Sequence, residues 1–324
     1  MDPQGPLAAV RRAVDQFART YCAADERWCV ALSGGADSLA LVAAAAPSRP
    51  TTALIVDHGL QPDSAAVAAT ARDRALALGC AGATVLRVEV GSAGGPEAAA
   101  RTARYAALDE ARDGVPVLIA HTLDDQAETV LLGLGRGSGA RSIAGMRPHD
   151  PPWGRPLLGI RRAETLGACA ELGLVPWHDP HNRDPRFTRV RLRTEVLPLL
   201  EEVLGGGVAE ALARTATALR EDTGALDDLA TSAVDALRSG AAGDARLDAT
   251  RAAALPPALR TRVIRRWLLD GGADDLTDRQ IRAVDALVVD WRGRGGVAVG
   301  SRLRNHRLFA ARSGGDLILR IEPV

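Results

Sequence analysis

From Trp28 to Arg136, short runs of unbroken apolar residues alternate with longer stretches whose apolar positions recur at helical spacing. The strand-like runs are "WCVALS", "TTALIVDH", "ATVLRVEV" and "VPVLIAH". Helix-like stretches over 37–46, 63–78 and 97–112 lie between them, and another over 123–134 follows the last. Strands that are apolar throughout and separated by helices predict a parallel sheet covered on both faces. Such sheets bind ligands beyond the carboxyl ends of their strands. The polar clusters "SGGADS", "VDHGLQPDS" and "HTLDDQAET" all begin there, so they are expected to share one rim.

The pattern changes after Pro148. Residues 148–185, rich in Pro, Trp and His, read as irregular with one short helix over 163–172. A helix is expected over about 189–204, broken near Pro198, and Gly205–Gly207 marks an expected boundary. Ala-rich helical stretches then run to about Val289, and the tail from Gly295 alternates like two or three antiparallel strands. The predicted fold is α/β. A Rossmann-like parallel-sheet domain over 1–204 precedes a smaller, mainly helical domain over 205–324 that ends in short antiparallel strands.

Composition removes several chemistries. Forty Lys and Arg balance forty Asp and Glu, so no global field draws the chain to nucleic acid or membrane. Every basic residue is arginine, which excludes a Walker A lysine and Schiff-base catalysis. Cys22, Cys29, Cys80 and Cys169 never form C-x-x-C and read as small buried residues. No apolar run reaches membrane-spanning length, and "MDPQGPLAAVRRAV" lacks the signal-peptide pattern. A cytoplasmic protein without a membrane partner is expected.

The stretch Ser33-Gly34-Gly35-Ala36-Asp37-Ser38 sits where a strand hands over to a helix. Two glycines let backbone approach a ligand, and the helix start favours an anion by roughly 0.3–1 kcal/mol. Asp37 would repel phosphates unless Mg²⁺ intervened. A plain turn with a capping Ser or Asp is the alternative. Ser313-Gly314-Gly315 repeats the tripeptide before a strand, where it reads as a hairpin turn. Context carries the signal.

S-G-G-x-D-S in this position resembles the pyrophosphate loop of the ATP-pyrophosphatase superfamily, whose members cleave ATP between the α- and β-phosphates. In His121-Thr-Leu-Asp124-Asp125-Gln-Ala-Glu128, the acids at i,i+4 and i,i+3 share a helix face. Thr122 with Asp125 also fits a capping box. "LGLGRGSG" follows a helix and is no dinucleotide fingerprint.

Taken in order, "VDHGLQPDS", "RTARYAALDE", "AHTLDDQAETVLLGLGRGSG", "RPLL" and "DPHNRDPRFTRVRLRTEVLP" resemble the tRNA(Ile)-lysidine synthetase family, over about residues 28–204. "LPPALRTRVIRRWL" is similar to its helical second domain, and the length to its shorter members. Gln61 stands where the family commonly has Arg, His181 where Ser precedes the Asn, and Val190 where Asn follows the Arg.

The resemblance implies ATP and Mg²⁺ as cosubstrate and cofactor. It implies free L-lysine and a tRNA(Ile) with anticodon CAU as partners, and leaves room for a homodimer. Ser33, Gly34, Gly35, Ala36, Asp37 and Ser38 would hold ATP, with Val56, Asp57 and His58 near the adenine. Asp37 would act through Mg²⁺, and Arg101, Asp125 and Glu128 would handle lysine and catalysis. Arg101 also reads as a surface ion pair with Glu97.

Residues 136–193 hold eleven Arg against five acids. Arg183, Arg186, Arg189, Arg191 and Arg193 are expected to meet tRNA phosphates, and Trp153 and Trp177 to pack or to stack on unpaired bases. Two rivals remain at this stage. A tRNA thiolase of the same superfamily typically needs paired cysteines or an iron–sulfur cluster. A non-catalytic nucleotide-binding module would need neither the acids after the fourth strand nor the arginines.

Overall fold

The computed structural model describes residues 4–24, 26–59, 61, 63–91, 95–137, 139–180, 184–239, 246–293, 295–302 and 305–323. The chain forms two compact units, Met1–Thr217 and Ala218–Val324.

In the first unit α1 (Pro6–Tyr21) leads into β1 (Trp28–Ala31), α2 (Ala36–Ala45), β2 (Thr51–Asp57) and α3 (Ser64–Ala77). Next come β3 (Gly82–Arg87), α4 (Pro96–Ala111), β4 (Val117–Leu118), α5 (Leu123–Gly135) and α6 (Ala140–Ile143). Then follow β5 (His149–Asp150), β6 (Trp153–Gly154), α7 (Arg162–Glu171), α8 (Thr188–Arg191) and α9 (Leu197–Leu204). The sheet order is β3-β2-β1-β4-β6-β5, parallel except for the last pair. Its order reverses between β1 and β4, which opens a crevice at the carboxyl ends of those strands.

The central helix α2 is buried from Ser38 to Ala45, as its apolar composition on every side requires. It shares a core with Trp28 and Val30 of β1, Ala168 and Cys169 of α7, and α1. The stripe Leu7, Val10, Val14, Phe17 and Ala18 buries one face of α1. That helix was not anticipated from the sequence, although its spacing is regular.

The expected break near Pro198 falls earlier. Pro198 lies in the first turn of α9, where a missing N–H is tolerated. The irregularity is a π-helical turn at Leu192–Val196, with the Leu197 N–H reaching back to the Leu192 carbonyl. Such turns often mark functional sites, and this one carries Arg193.

From α10 (Val208–Leu237) the chain continues into the second unit with β7 (Arg238–Ser239), β8 (Arg246–Asp248), α11 (Ala249–Ala253), α12 (Pro257–Asp270) and α13 (Asp278–Val289). β9 (Gly296–Val299), β10 (His306–Ser313) and β11 (Asp316–Pro323) complete an antiparallel sheet of order β7-β8-β11-β10-β9. Val263, Ile264, Trp267 and Leu268 of α12 pack with Val284 of α13 and with Leu308 and Leu317 of the sheet. Gly314 and Gly315 form the hairpin turn between Ser313 and Asp316, with Gly314 at φ +60°. No helix among the described residues is long and apolar enough to cross a membrane.

Candidate functional site

The three polar clusters do share one rim. A cavity of about 360 Å³, within the usual range for ligand pockets, is lined by Ser33, Asp37 and Ser38 after β1, by Val56, Asp57 and His58 at the end of β2, and by His121 after β4. Gly34 takes φ +82°, a left-handed conformation in which any side chain would be strained. Ser38, buried in the first turn of α2, curls the loop: it accepts from the Ser33 N–H at 3.2 Å and donates to the Gly35 carbonyl at 2.9 Å.

Asp57 is tied to its own turn. The Gly59 N–H, donating at 3.0 Å, and the Ser64 hydroxyl hold its carboxyl below the usual range. His58 and His121 each bury an Nδ1 that has no hydrogen-bond partner. Burial pushes both imidazoles down, so both are neutral at pH 7.

Sequence reasoning missed Arg104, which lines the cavity and lies over the Tyr105 ring. Arg101, the residue singled out instead, is exposed on α4. Its guanidinium lies 4.8 Å from the Tyr105 ring centroid and donates to the Tyr105 hydroxyl at 3.3 Å. Among the described contacts it does not join the acids of α5. The Glu97 side chain, its suggested partner, lies outside the described residues.

Trp177 also belongs to the cavity. Its backbone N–H donates to the Gly34 carbonyl at 3.0 Å, and Asp179, two residues on, accepts from Gln61 at 3.1 Å. Trp153 packs edge-on against Tyr105, with ring centroids 4.7 Å apart.

The acids converge beside this cavity. Thr122 and Asp125 form the capping box that starts α5, so Asp125 is a structural cap. It is also more than that. Its Oδ1 accepts from Arg162 Nη2 at 2.7 Å and faces Arg193 Nη2 at 3.5 Å. Glu128, with no exposed side-chain surface, accepts from Arg193 Nε at 2.7 Å and faces Arg189 Nη1 at 3.5 Å. Asp37 accepts from Arg162 Nε at 3.2 Å on one oxygen and from the Thr165 hydroxyl on the other. Asp124 turns aside to accept from the Arg162 backbone N–H at 2.7 Å.

Burial raises the carboxyls of Asp37 and Glu128 despite their arginines. For Asp125 burial also pushes upward, but Arg162, the Thr122 N–H and Arg193 together outweigh it and hold the carboxyl low.

Arg162 and Thr165 were not foreseen. Nothing in "GIRRAET" marks them, because the link to Asp37 spans more than a hundred residues of chain.

The arginine segment divides in two. Arg189 and Arg193 face the acids of α5, Arg189 meeting Glu128 and Arg193 meeting both Glu128 and Asp125. Arg186 and Arg191 are exposed and pair with Asp184 and Glu195. Arg183 and His181 lie outside the described residues, and Val190 is buried. Among the described residues no cluster of three or more His, Cys, Asp or Glu forms a metal cage. Since Arg162 and Thr165 occupy Asp37, a divalent ion would fit here only if carried on nucleotide phosphates.

The PP-loop domain profile matches residues 6–200, and the TilS substrate-binding domain profile matches residues 247–317. The tRNA(Ile)-lysidine synthase of Mycobacterium tuberculosis strain H37Rv is 67% identical over 324 residues, covering 100% of both chains. That of Mycobacterium leprae is 65% identical over 328 residues, with the same coverage.

The chain belongs to the tRNA(Ile)-lysidine synthase family.

Among solved structures, the U34-tRNA thiolase of Methanococcus maripaludis matches with a TM-score of 0.53 at 19% identity, over 67% of this chain and 80% of that one. Its likeness extends to the fold. Burial pushes the Cys80 and Cys169 thiols up to about 11 and raises those of Cys22 and Cys29.

Proposed function

We infer that the protein joins L-lysine to C2 of the wobble cytidine of a tRNA(Ile) bearing the anticodon CAU, through an adenylated tRNA. The observation that carries this reading is the meeting of two unlike sites. A cavity with a glycine-rich loop at a helix start adjoins a buried acid cluster suited to a cationic amine.

In the first half-reaction the cytidine 2-carbonyl oxygen attacks the α-phosphorus of ATP and pyrophosphate leaves. Residues 33–38 would cradle the phosphates, and Arg104 and neutral His121 would face the nucleotide. Mg²⁺ would be held chiefly by phosphate oxygens with Asp37 facing it, and would neutralise the leaving pyrophosphate.

In the second half-reaction the lysine ε-amine attacks C2, AMP leaves, and the amine gives up a proton. With an amine pKa of about 10.4, freeing the lone pair at pH 7 costs roughly 4–5 kcal/mol. Asp125, held low, is a poor base. Glu128, raised by burial, is the better acceptor.

Residues 1–204 would thus carry both half-reactions, with the surface arginines of 136–193 on the anticodon arm, and residues 205–324 would hold more of the tRNA. The test is pyrophosphate and AMP release from ATP with tRNA, with lysine, and with both. Pyrophosphate release should need tRNA, and product release should need lysine. Turnover indifferent to lysine would defeat the reading.

A further inference from the structure

Each acid assigned to lysine already faces an arginine, and Arg162 stands at the centre. Its Nη2 lies 2.7 Å from Asp125, its Nε 3.2 Å from Asp37, and its Nη1 3.9 Å from Glu128. Its backbone is fixed as well. The Arg162 N–H donates to Asp124 at 2.7 Å, and the preceding Arg161 N–H donates to Glu164 at 2.8 Å, which sets the start of α7. Thr165, three residues along α7, holds the other oxygen of Asp37. Among the described ion pairs, Arg162 alone joins the acid of the phosphate loop to the acids of α5.

The charges balance without substrate. Asp37, Asp125 and Glu128 face Arg162, Arg189 and Arg193. An incoming ammonium must therefore compete with a guanidinium already in place. We propose that Arg162 is a positioning residue and a resident cation: it orients Asp37 for adenylation and yields Asp125 and Glu128 to the lysine ε-ammonium. This rests on the reading of those two acids as the lysine site. It adds an order to the reaction, because the acids stay masked until a cation displaces the arginine.

Arg162→Gln separates this role from a merely structural one, because its two effects run in opposite senses. Adenylation in single turnover should slow by about 100-fold, as expected for a misplaced catalytic group. Lysine half-saturation, measured by chasing preformed adenylated tRNA, should fall by about five-fold or more, since the competitor is gone. Arg162→Lys keeps a cation but cannot span two carboxylates as the planar fork does. It should slow adenylation while leaving lysine half-saturation within about twofold, and it keeps the test available if the Gln variant does not fold.

Lysine half-saturation that rises or stays constant in Arg162→Gln overturns the proposal. So does adenylation at the parental rate in either variant, and so does a fall in half-saturation in Arg162→Lys. Glu128→Gln is the control arm. If it leaves lysine half-saturation unchanged, the acids are not the lysine site and the underlying reading fails. If it raises half-saturation while Arg162→Gln does not lower it, only the present inference fails.

Discussion

Glu128→Gln removes one negative charge from a fully buried side chain and changes its shape very little. Glu128 Oε1 accepts from Arg193 at 2.7 Å and lies 3.9 Å from Arg162, while Oε2 faces Arg189 at 3.5 Å. The variant leaves three guanidinium groups against two carboxylates, so the site repels the ammonium it is proposed to bind. Two unit charges 4 Å apart interact by roughly 4 kcal/mol at an effective dielectric of about 20. Removing one partner of a buried charge pair costs roughly 2–5 kcal/mol. Taking about 3 kcal/mol, lysine half-saturation should rise about 100-fold. Loss of the base should slow transfer by a further factor of about 10² or more.

A rapid-quench experiment that separates adenylated tRNA from lysidine-bearing tRNA reads both steps, and adenylation should continue at close to the parental rate. The pH profile adds a second readout. Burial holds the Glu128 carboxyl above the ordinary range, so falling pH protonates it earlier than an exposed glutamate. Lysine transfer in the parent should therefore be lost as pH falls through that raised value, and Glu128→Gln should lack this acid limb. If Glu128→Gln blocks adenylate formation and leaves lysine half-saturation unchanged, the acid serves ATP, and the division of roles is refuted.

Asp37→Asn should abolish pyrophosphate release while the thermal melt stays cooperative, and near-parental release from the folded variant would remove Asp37 from the first half-reaction. Arg186→Ala with Arg191→Ala should flatten the salt dependence of tRNA binding by roughly 0.7–0.9 per lost phosphate contact. An unchanged slope would make these exposed arginines an ordinary solvated face. Trp177→Ala should weaken ATP binding by about ten-fold, in line with roughly 1–3 kcal/mol for aromatic stacking on a base. Equilibrium binding of ATP without tRNA checks this, and a loss confined to tRNA affinity would return Trp177 to the anticodon.

The sequence by itself determined the parallel sheet, because strands covered on both faces must be apolar throughout. It distinguished the glycine-rich loop between β1 and α2 from a hairpin turn, because the tripeptide at Ser33 precedes a helix and the one at Ser313 precedes a strand. The capping box and the acid face of α5 were also legible, being local patterns three and four residues long. The ordered motifs carried the family.

Tertiary structure alone decided which arginines meet the cavity and the buried acids. Arg101 and Arg104 stand three positions apart on α4, yet Arg104 lines the cavity and Arg101 lies exposed on Tyr105. Arg189 and Arg193 read like Arg186 and Arg191, but Arg189 on α8 and Arg193 in the π-helical turn at Leu192–Val196 both meet Glu128. Arg162 and Thr165 reach Asp37 only because α7 packs against α2 in the common core. Hydrophobic periodicity specifies which face of a helix is buried. It does not specify which distant carboxylate a long guanidinium side chain meets, since that depends on how separate elements are docked.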